Sequence, residues 1–527
     1  MNNKNTNTST TRMKALCIGL ALAASTTVPA FAQATKSAAT TTTSAQQRTE
    51  AYFRTVSTKP PELWAFLKDM PKGGDLHSHL SGAIYAESMI GWAVEDGLCV
   101  DTKTLAVVKP PCDAAPGLVA AKDAQTDGVL YRRTIDAWSM RNAQTSGLSG
   151  HDQFFDTFGK FGGSNRNRNG DMLAEVAARA SAGNVSYLEL MLTPGGSEVG
   201  KVAAKAGWND DFAKMRGAML ENGMPDAAKA AAEELSSANA RKAELLRCGT
   251  PQASPGCGVA IRYLYQVLRG LPKEIVFAQM LAGFELASRG GGTDSQVVGL
   301  NLVMPEDALV PMRDFSLHMR LLDYLHSVYP KVQVTLHAGE LAPGLVPTEG
   351  LRFHIRESIE RGHATRIGHG VAVMQEDDAV GLLKRMARDK IMVEICLTSN
   401  TGILGVSGTQ HPLSAYLKYG VPTALATDDE GVSRSEMTHE YVRAVQEQNI
   451  SYRQLKTMAR NSLQYAFVEG EALWKDVERV TPVAACAGNQ PGVANASARC
   501  EKYLEQSPKA RLQWQLEEAL VKFERKF

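Results

Sequence analysis

The chain of 527 residues reads as an α/β protein: a closed (β/α)8 TIM-type barrel with helical insertions and a C-terminal helical tail. Three observations predict this. Short runs rich in apolar and β-branched residues recur eight times, as "GDLHSH", "VSYLELMLT", "VAIRYLYQVL", "VVGLNLVM", "VQVTLHAGE", "RIGHG", "IMVEICLTS" and "PTALATDD". Helical patterns such as "FSLHMRLLDYLHSVYP", "LRFHIRESIERG" and "AVGLLKRMARDK" separate most of them. No Gly-rich phosphate loop follows any run, which counts against the alternative, an open doubly wound sheet. Apolar strands alternating with helices build a parallel sheet. Eight such units close into a barrel with its chemistry at the C-terminal strand ends.

The flanks are read from composition. "TRMKALCIGLALAASTTVPAFAQA" has a basic start, an apolar stretch too short to span a bilayer, and an A-x-A site, so residues 1–32 are expected to be a signal peptide. Residues 33–48 read as a flexible leader. The barrel is expected over 49–470, with insertions at about 95–149 and 195–258. Residues 471–527 read as a loop closed by a cysteine pair, then an amphipathic helix, "ARLQWQLEEALVKFERKF", packed on the barrel's outside. After signal cleavage no apolar run is long enough for a membrane, so the expected location is exported, periplasmic or secreted, a bacterial periplasm fitting best.

Basic residues number 57 and acidic residues 56, with no basic stripe, so nucleic acid is not an expected partner. The pattern specifies no oligomeric state. Cys17 falls in the signal. Cys99 with Cys112, Cys248 with Cys257 and Cys486 with Cys500 each flank a loop-like segment, which in an exported chain predicts three local disulfides. Six reduced thiols are the alternative. Cys396 stands alone in "IMVEICL" and reads as a buried small hydrophobe.

The chemistry sits at the strand ends. Residues two apart on a strand share a face, so His77 and His79 can present two nitrogens to one cation. "VTLHAGE" ends the fifth strand with His337 and Glu340, and Gly339 allows the turn that points both into one mouth. "RIGHG" ends the sixth with His369, and "ALATDDEG" ends the eighth with Asp428 and Asp429. Zinc suits such a set: nitrogen ligands, a carboxylate and an open position for water. Taken singly, each residue has an ordinary structural reading: His337 as a core histidine, Glu340 paired with Arg352 or Arg356, His369 in a turn, the Asp pair as helix caps. Their joint placement is hard to explain by packing. His151, His318, His326, His354, His363, His411 and His439 lack this context and are left out of the site.

These motifs make the chain resemble the adenosine deaminase family of metal-dependent purine deaminases. "MPKGGDLHSHLSGA", "VVGLNL", "VTLHAGE", "RIGHG", "CLTSN" with "HPLSAYLKYGVP", and "ATDDEG" follow the family's order from about residue 70 to 465. The export signal and "MPKGG" are also similar to its secreted, growth-factor-related branch. The resemblance implies that His77, His79, His337 and Asp428 ligate zinc and that Glu340 protonates the purine ring nitrogen. It implies that His369 orients the attacking water and helps move its proton, and that the Gly299 backbone N–H and Asp429 hold other ring nitrogens. "HLSG" places Ser81 where many members have a ribose-contacting Asp, and Asn301 stands where an Asp is common. The implied substrate is therefore adenosine or a close aminopurine nucleoside. Free adenine or a modified adenosine is the alternative, and a catalytically inactive purine-binding or signalling protein on the same fold is a third reading.

Overall fold

The computed structural model describes residues 45–289 and 296–527. The expected signal peptide and the leader up to residue 44 lie outside them. A helix already occupies 45–56, with Ala45 buried, so the folded body takes in the last residues of the expected leader.

All eight predicted runs are strands: β1 (Gly73–His79), β2 (Val185–Leu192), β3 (Ala260–Leu268), β4 (Val297–Val303), β5 (Gln333–Ala338), β6 (Arg366–His369), β7 (Met392–Ile395) and β8 (Thr423–Leu425). They lie side by side in chain order, each pair parallel. β1 meets the far end of the sheet through Ser78 and Asp428. There the Asp428 N–H donates to the His77 carbonyl at 2.8 Å and the His79 N–H to the Asp428 carbonyl at 3.2 Å. The barrel thus closes at the residues expected to do its chemistry. Gly73 enters β1 at φ +72°, and a Cβ there would fall 2.4 Å from the Ala459 carbonyl oxygen, which is why the strand starts on glycine.

"IMVEICLTS" departs from expectation. Its strand stops at Ile395, and Leu397–Leu404 is helical. Glu440 accepts the Thr398 N–H in the first turn of that helix, and the turn carries Asn400 to His369. The first insertion holds a small antiparallel sheet (Cys99–Asp101 between Val107–Val108 and Leu118–Ala120) and the helices Ala121–Thr126 and Gly128–Ala137. The second is helical over Gly196–Ala206, Phe212–Glu221 and Met224–Leu245. The expected disulfides Cys99–Cys112, Cys248–Cys257 and Cys486–Cys500 are formed, and Cys396 is free and buried. The last helix, Pro508–Glu524, packs Leu516 and Leu520 with Leu76, Tyr187 and Met392, so it covers the barrel floor from outside. Among the described residues no helix is long and apolar enough to cross a membrane.

Inside the barrel lies a polar layer. Arg366 donates to Glu394 at 2.6 Å, to Glu189 at 2.7 Å and to the Tyr465 carbonyl at 2.9 Å, and its guanidinium lies 3.8 Å from the Phe467 ring centre. All three charged side chains are fully buried. Two carboxylates share one cation, and the excess is met by neutral donors: the Tyr187 hydroxyl and Phe467 N–H on Glu189, the Thr335 hydroxyl on Glu394. An Arg366→Met variant leaves two buried carboxylates without their cation. Denaturant unfolding should show a loss of about 3–5 kcal/mol, and an unchanged midpoint would mean the layer contributes nothing.

Candidate active site

His77 and His79 project from the end of β1 on one face, as the alternation of a strand requires. His337 ends β5, and Asp428 follows β8 at φ +61°, a left-handed conformation that turns its carboxylate back across the mouth. The His77 and His79 Nε2 atoms lie 3.0 and 3.2 Å from the His337 Nε2. Asp428 Oδ1 is 3.5 Å from His77 Nε2 and 3.2 Å from His79 Nε2. Four buried donors therefore face a common centre. Their separations match the edges of a tetrahedron of zinc–ligand bonds, about 3.3 Å for bonds of 2.0–2.1 Å.

The opposite ring nitrogens confirm this orientation. His77 Nδ1 is 2.7 Å from Glu394 Oε2, His79 Nδ1 2.9 Å from Gln266 Oε1, and His337 Nδ1 3.0 Å from Asn301 Oδ1. Each acceptor holds a proton on Nδ1 and leaves the Nε2 lone pair for a cation. Asn301 Oδ1 also accepts the His337 backbone N–H at 2.9 Å, which fixes its amide orientation. Asn301 is thus committed to His337. Burial alone would lower the His77 pKa, but hydrogen bonds and charge from Asp428 and Glu394 raise it to about 10. The cluster holds surplus negative charge that a proton satisfies and a dication satisfies better.

Glu340 follows the turn at Gly339 (φ +67°), as the sequence suggested. The buried Glu306 accepts the N–H groups of Gly339 and Glu340 at 3.0 and 2.8 Å and pairs with His354 at 2.5 Å, so the acid's backbone is held from below. Burial, then the charges of Asp428 and Glu306, push the Glu340 carboxyl well above the usual range. Its Oε1 has no hydrogen-bond partner and lies 3.5 Å from His369 Nδ1. Arg352 and Arg356 are engaged elsewhere, with Asp377. His369 is fully buried at φ +64°, and burial followed by the charge of His77 lowers it to about 3, so the ring is neutral. Burial and Asp428 raise Asp429 well above the carboxylate range. Burial also opposes the ionised form of Asp428, yet hydrogen bonds from His77 and His79 hold it well below that range.

These groups open into a cavity of about 420 Å³ lined by Ser81, Gln266, Glu340 and Asp429 on one side and by Phe154, Phe155, Phe158 and Met304 on the other. A larger surface groove, about 580 Å³ beside Phe53 and Tyr452, has no histidine in its lining. Gly82 is glycine because a Cβ would fall 1.5 Å from Asp429 Oδ1. Gly299 does not belong to the site. It lies near the start of β4, where a Cβ would meet the Gln333 carbonyl at 2.7 Å and the Phe467 ring at 2.9 Å. Its small size answers packing at the barrel floor, and the cavity is reached by Val303, the last residue of β4, and by Met304 and Pro305 just past it. Sequence reasoning also missed Gln266, Glu394 and Glu306. The signal for the first two was a lone polar residue inside an apolar run.

A closed parallel barrel with three imidazoles and a carboxylate converging at its C-terminal mouth has the donor set to hold one divalent cation. Residues 224–481 match the family model described as adenosine deaminase, the family whose motifs the sequence resembles. An adenosine deaminase of Aliivibrio fischeri is 35% identical over 138 residues, 26% of this chain and 38% of the relative. One from Escherichia coli is 37% identical over 139 residues, with the same 26% and 38% shares. The matched region thus spans 38% of the length of these curated relatives. Among solved structures, an adenine deaminase from Arthrobacter aurescens aligns with a TM-score of 0.47 and 17% identity, over 76% of this chain and 94% of its own.

Cation binding must displace the His77 proton, since the same Nε2 takes both. Calorimetric titration of zinc into metal-free protein at neutral pH, in buffers of different ionisation enthalpy, should show about one proton released per chain from His77 and a further contribution from His79, whose pKa is also raised. The release should vanish as the pH passes about 10, where His77 is already neutral.

Proposed function

We propose that the chain hydrolyses adenosine, or a close aminopurine nucleoside, to an inosine-type product and ammonia, with one zinc ion held by His77, His79, His337 and Asp428. Glu340 carries the reading: a carboxyl raised towards its neutral form, with one free oxygen in the cavity wall, beside a four-donor cluster. When bound, zinc acts as a Lewis acid and lowers the pKa of water towards about 7.

The chain's own groups do the remainder. Water adds to the ring carbon bearing the exocyclic amine, and electron density moves onto the adjacent ring nitrogen. Glu340 delivers its proton there, so no full charge builds up; a positioned acid of this kind contributes roughly 10²–10⁴-fold. His369 orients the water. Asp429, also raised and with Oδ1 unpartnered, has a proton to donate to a second ring nitrogen. Ser81 offers a hydroxyl to a sugar. Asp428, the ionised carboxylate of the wall, takes the proton the water gives up and passes it to the amine. The C–N bond then breaks, ammonia leaves, and the hydroxyl's proton returns to Glu340 as the carbonyl forms.

Among the described residues no lysine or arginine lines the cavity, which favours an uncharged nucleoside or base over a nucleotide. Ser81 gives a sugar no charged partner, and this favours the second reading, deamination of free adenine or a modified adenosine. An inactive purine-binding protein is the third; such a protein needs neither acid nor stoichiometric zinc. The catalytic body is assigned to 49–470 and the tail to 471–527. Three disulfides support an exported, periplasmic or secreted location and a role in salvage of external nucleosides.

The test is loss of the adenosine absorbance band with the full chain and with Glu340→Gln. Wild type should turn over, and the variant should keep its zinc while kcat falls about 10²–10⁴-fold. Zinc-loaded wild type that leaves adenosine, adenine and N6-substituted adenosines untouched would overturn the deaminase reading.

A further inference from the structure

A buried polar chain leads from a backbone amide to His369. The Leu413 N–H donates to His411 Nδ1 at 3.2 Å. A backbone amide can only donate, so this nitrogen is the unprotonated one and the ring's proton is on Nε2. His411 Nε2 is 3.1 Å from Asn400 Oδ1, and the bond requires an acceptor there, which fixes the amide's orientation. Asn400 Nδ2, the remaining end, is 2.9 Å from His369 Nδ1 and donates to it. His411, Asn400 and His369 are each at most 1% exposed, so no water competes for these bonds. Burial also lowers His411 to about 4, consistent with a neutral ring.

We propose that Asn400 and His411 are positioning residues that lock His369 in the Nε2–H tautomer. This rests on the deaminase reading only for the roles of Glu340 and His369. Two consequences follow. His369 Nε2, buried and without a protein partner, is a donor towards the attacking water and not the base that removes its proton. The lone pair on His369 Nδ1 is already taken by Asn400. Glu340 Oε1, 3.5 Å away, therefore finds no acceptor there, and its proton is reserved for the substrate's ring nitrogen. The chain is anchored in main chain, so its direction is set by covalent structure and not by a choice of rotamer.

The experiment is two-bond 1H–15N NMR of the zinc-loaded full chain labelled with 15N-histidine, the His369 signals being identified by their loss in His369→Gln. The expected pattern is a protonated Nε2 and an unprotonated Nδ1 in wild type. Asn400→Asp keeps the shape but replaces the donor with an acceptor, so the proton should move to Nδ1. Its kcat should fall about 100-fold with KM and zinc content unchanged. His411→Gln, which retains a donor, should keep kcat within about 3-fold. A wild-type spectrum with the proton on Nδ1 overturns the proposal, as does a folded Asn400→Asp whose tautomer is unchanged. The wild-type spectrum decides even if a variant fails to fold. It needs no turnover, so a chain that leaves purines untouched would sink the deaminase reading and leave the tautomer result standing.

Discussion

The structure depends on one constraint: no charge inside the barrel is left alone. Burying an unpaired carboxylate costs several kcal/mol, and this barrel buries Glu189, Glu394 and Asp428 together. Arg366 compensates the first two from below, and Glu394 passes its other oxygen to His77. The imidazole is then oriented by a partner that is itself fixed, and Asp428 approaches from the end of β8, the neighbour of β1 across the closure. The floor and the mouth are therefore one network. The ring cannot rotate without freeing a carboxylate, and the carboxylate cannot move without exposing the arginine. Preorganisation of the four-donor face follows from electrostatic compensation that the fold needs anyway.

Backbone strain supplies the rest of the geometry. His369, Asp428 and Met304 all lie just past or at strand ends with positive φ, where side chains other than glycine are uncommon. Each is held by bonds that forbid relaxation. Tyr416 donates to the Gly370 carbonyl at 2.6 Å beside His369, and Asp428 is tied into the β1 closure. The buried Arg269 donates to the Met304 carbonyl at 3.1 and 3.2 Å and to the His337 carbonyl at 3.1 Å. One guanidinium thus couples the cavity wall at β4 to the ligand at the end of β5.

The strands were legible because burial on both faces leaves continuous apolar runs, as in "VVGLNLV", and the ligands because strand-end histidines break such runs. The partners of those ligands were not legible. Gln266 and Glu394 look like defects in apolar strands until the ring nitrogen each one holds is known, and that pairing spans 187 residues in the first case and 317 in the second. Gly299 shows the converse. A glycine near a functional motif suggests close approach of a ligand, but the approach is by Phe467, from a segment far along the chain. His411 and His354 were set aside for lacking a strand-end context, and both act at one remove, through Asn400 and Glu306. Periodicity reports which face a residue is on; it does not report what a loop brings to that face.

Three carboxyls sit within one small cavity wall and are driven in opposite directions by what touches them. Asp428 accepts from two imidazoles and stays ionised, although burial opposes it. Asp429, its neighbour in sequence, receives no such donor and feels the charge of Asp428, so it rises. Glu340 rises for the same two reasons. The division needs no difference in residue chemistry, only a difference in donors, and it separates an ionised carboxylate from two that favour their protonated form. Such a site supports a reaction that needs fixed negative charge and available protons at neutral pH, within a few ångströms of each other. Addition of water to an amine-bearing aromatic carbon, with concurrent protonation of the ring, is a reaction of that kind.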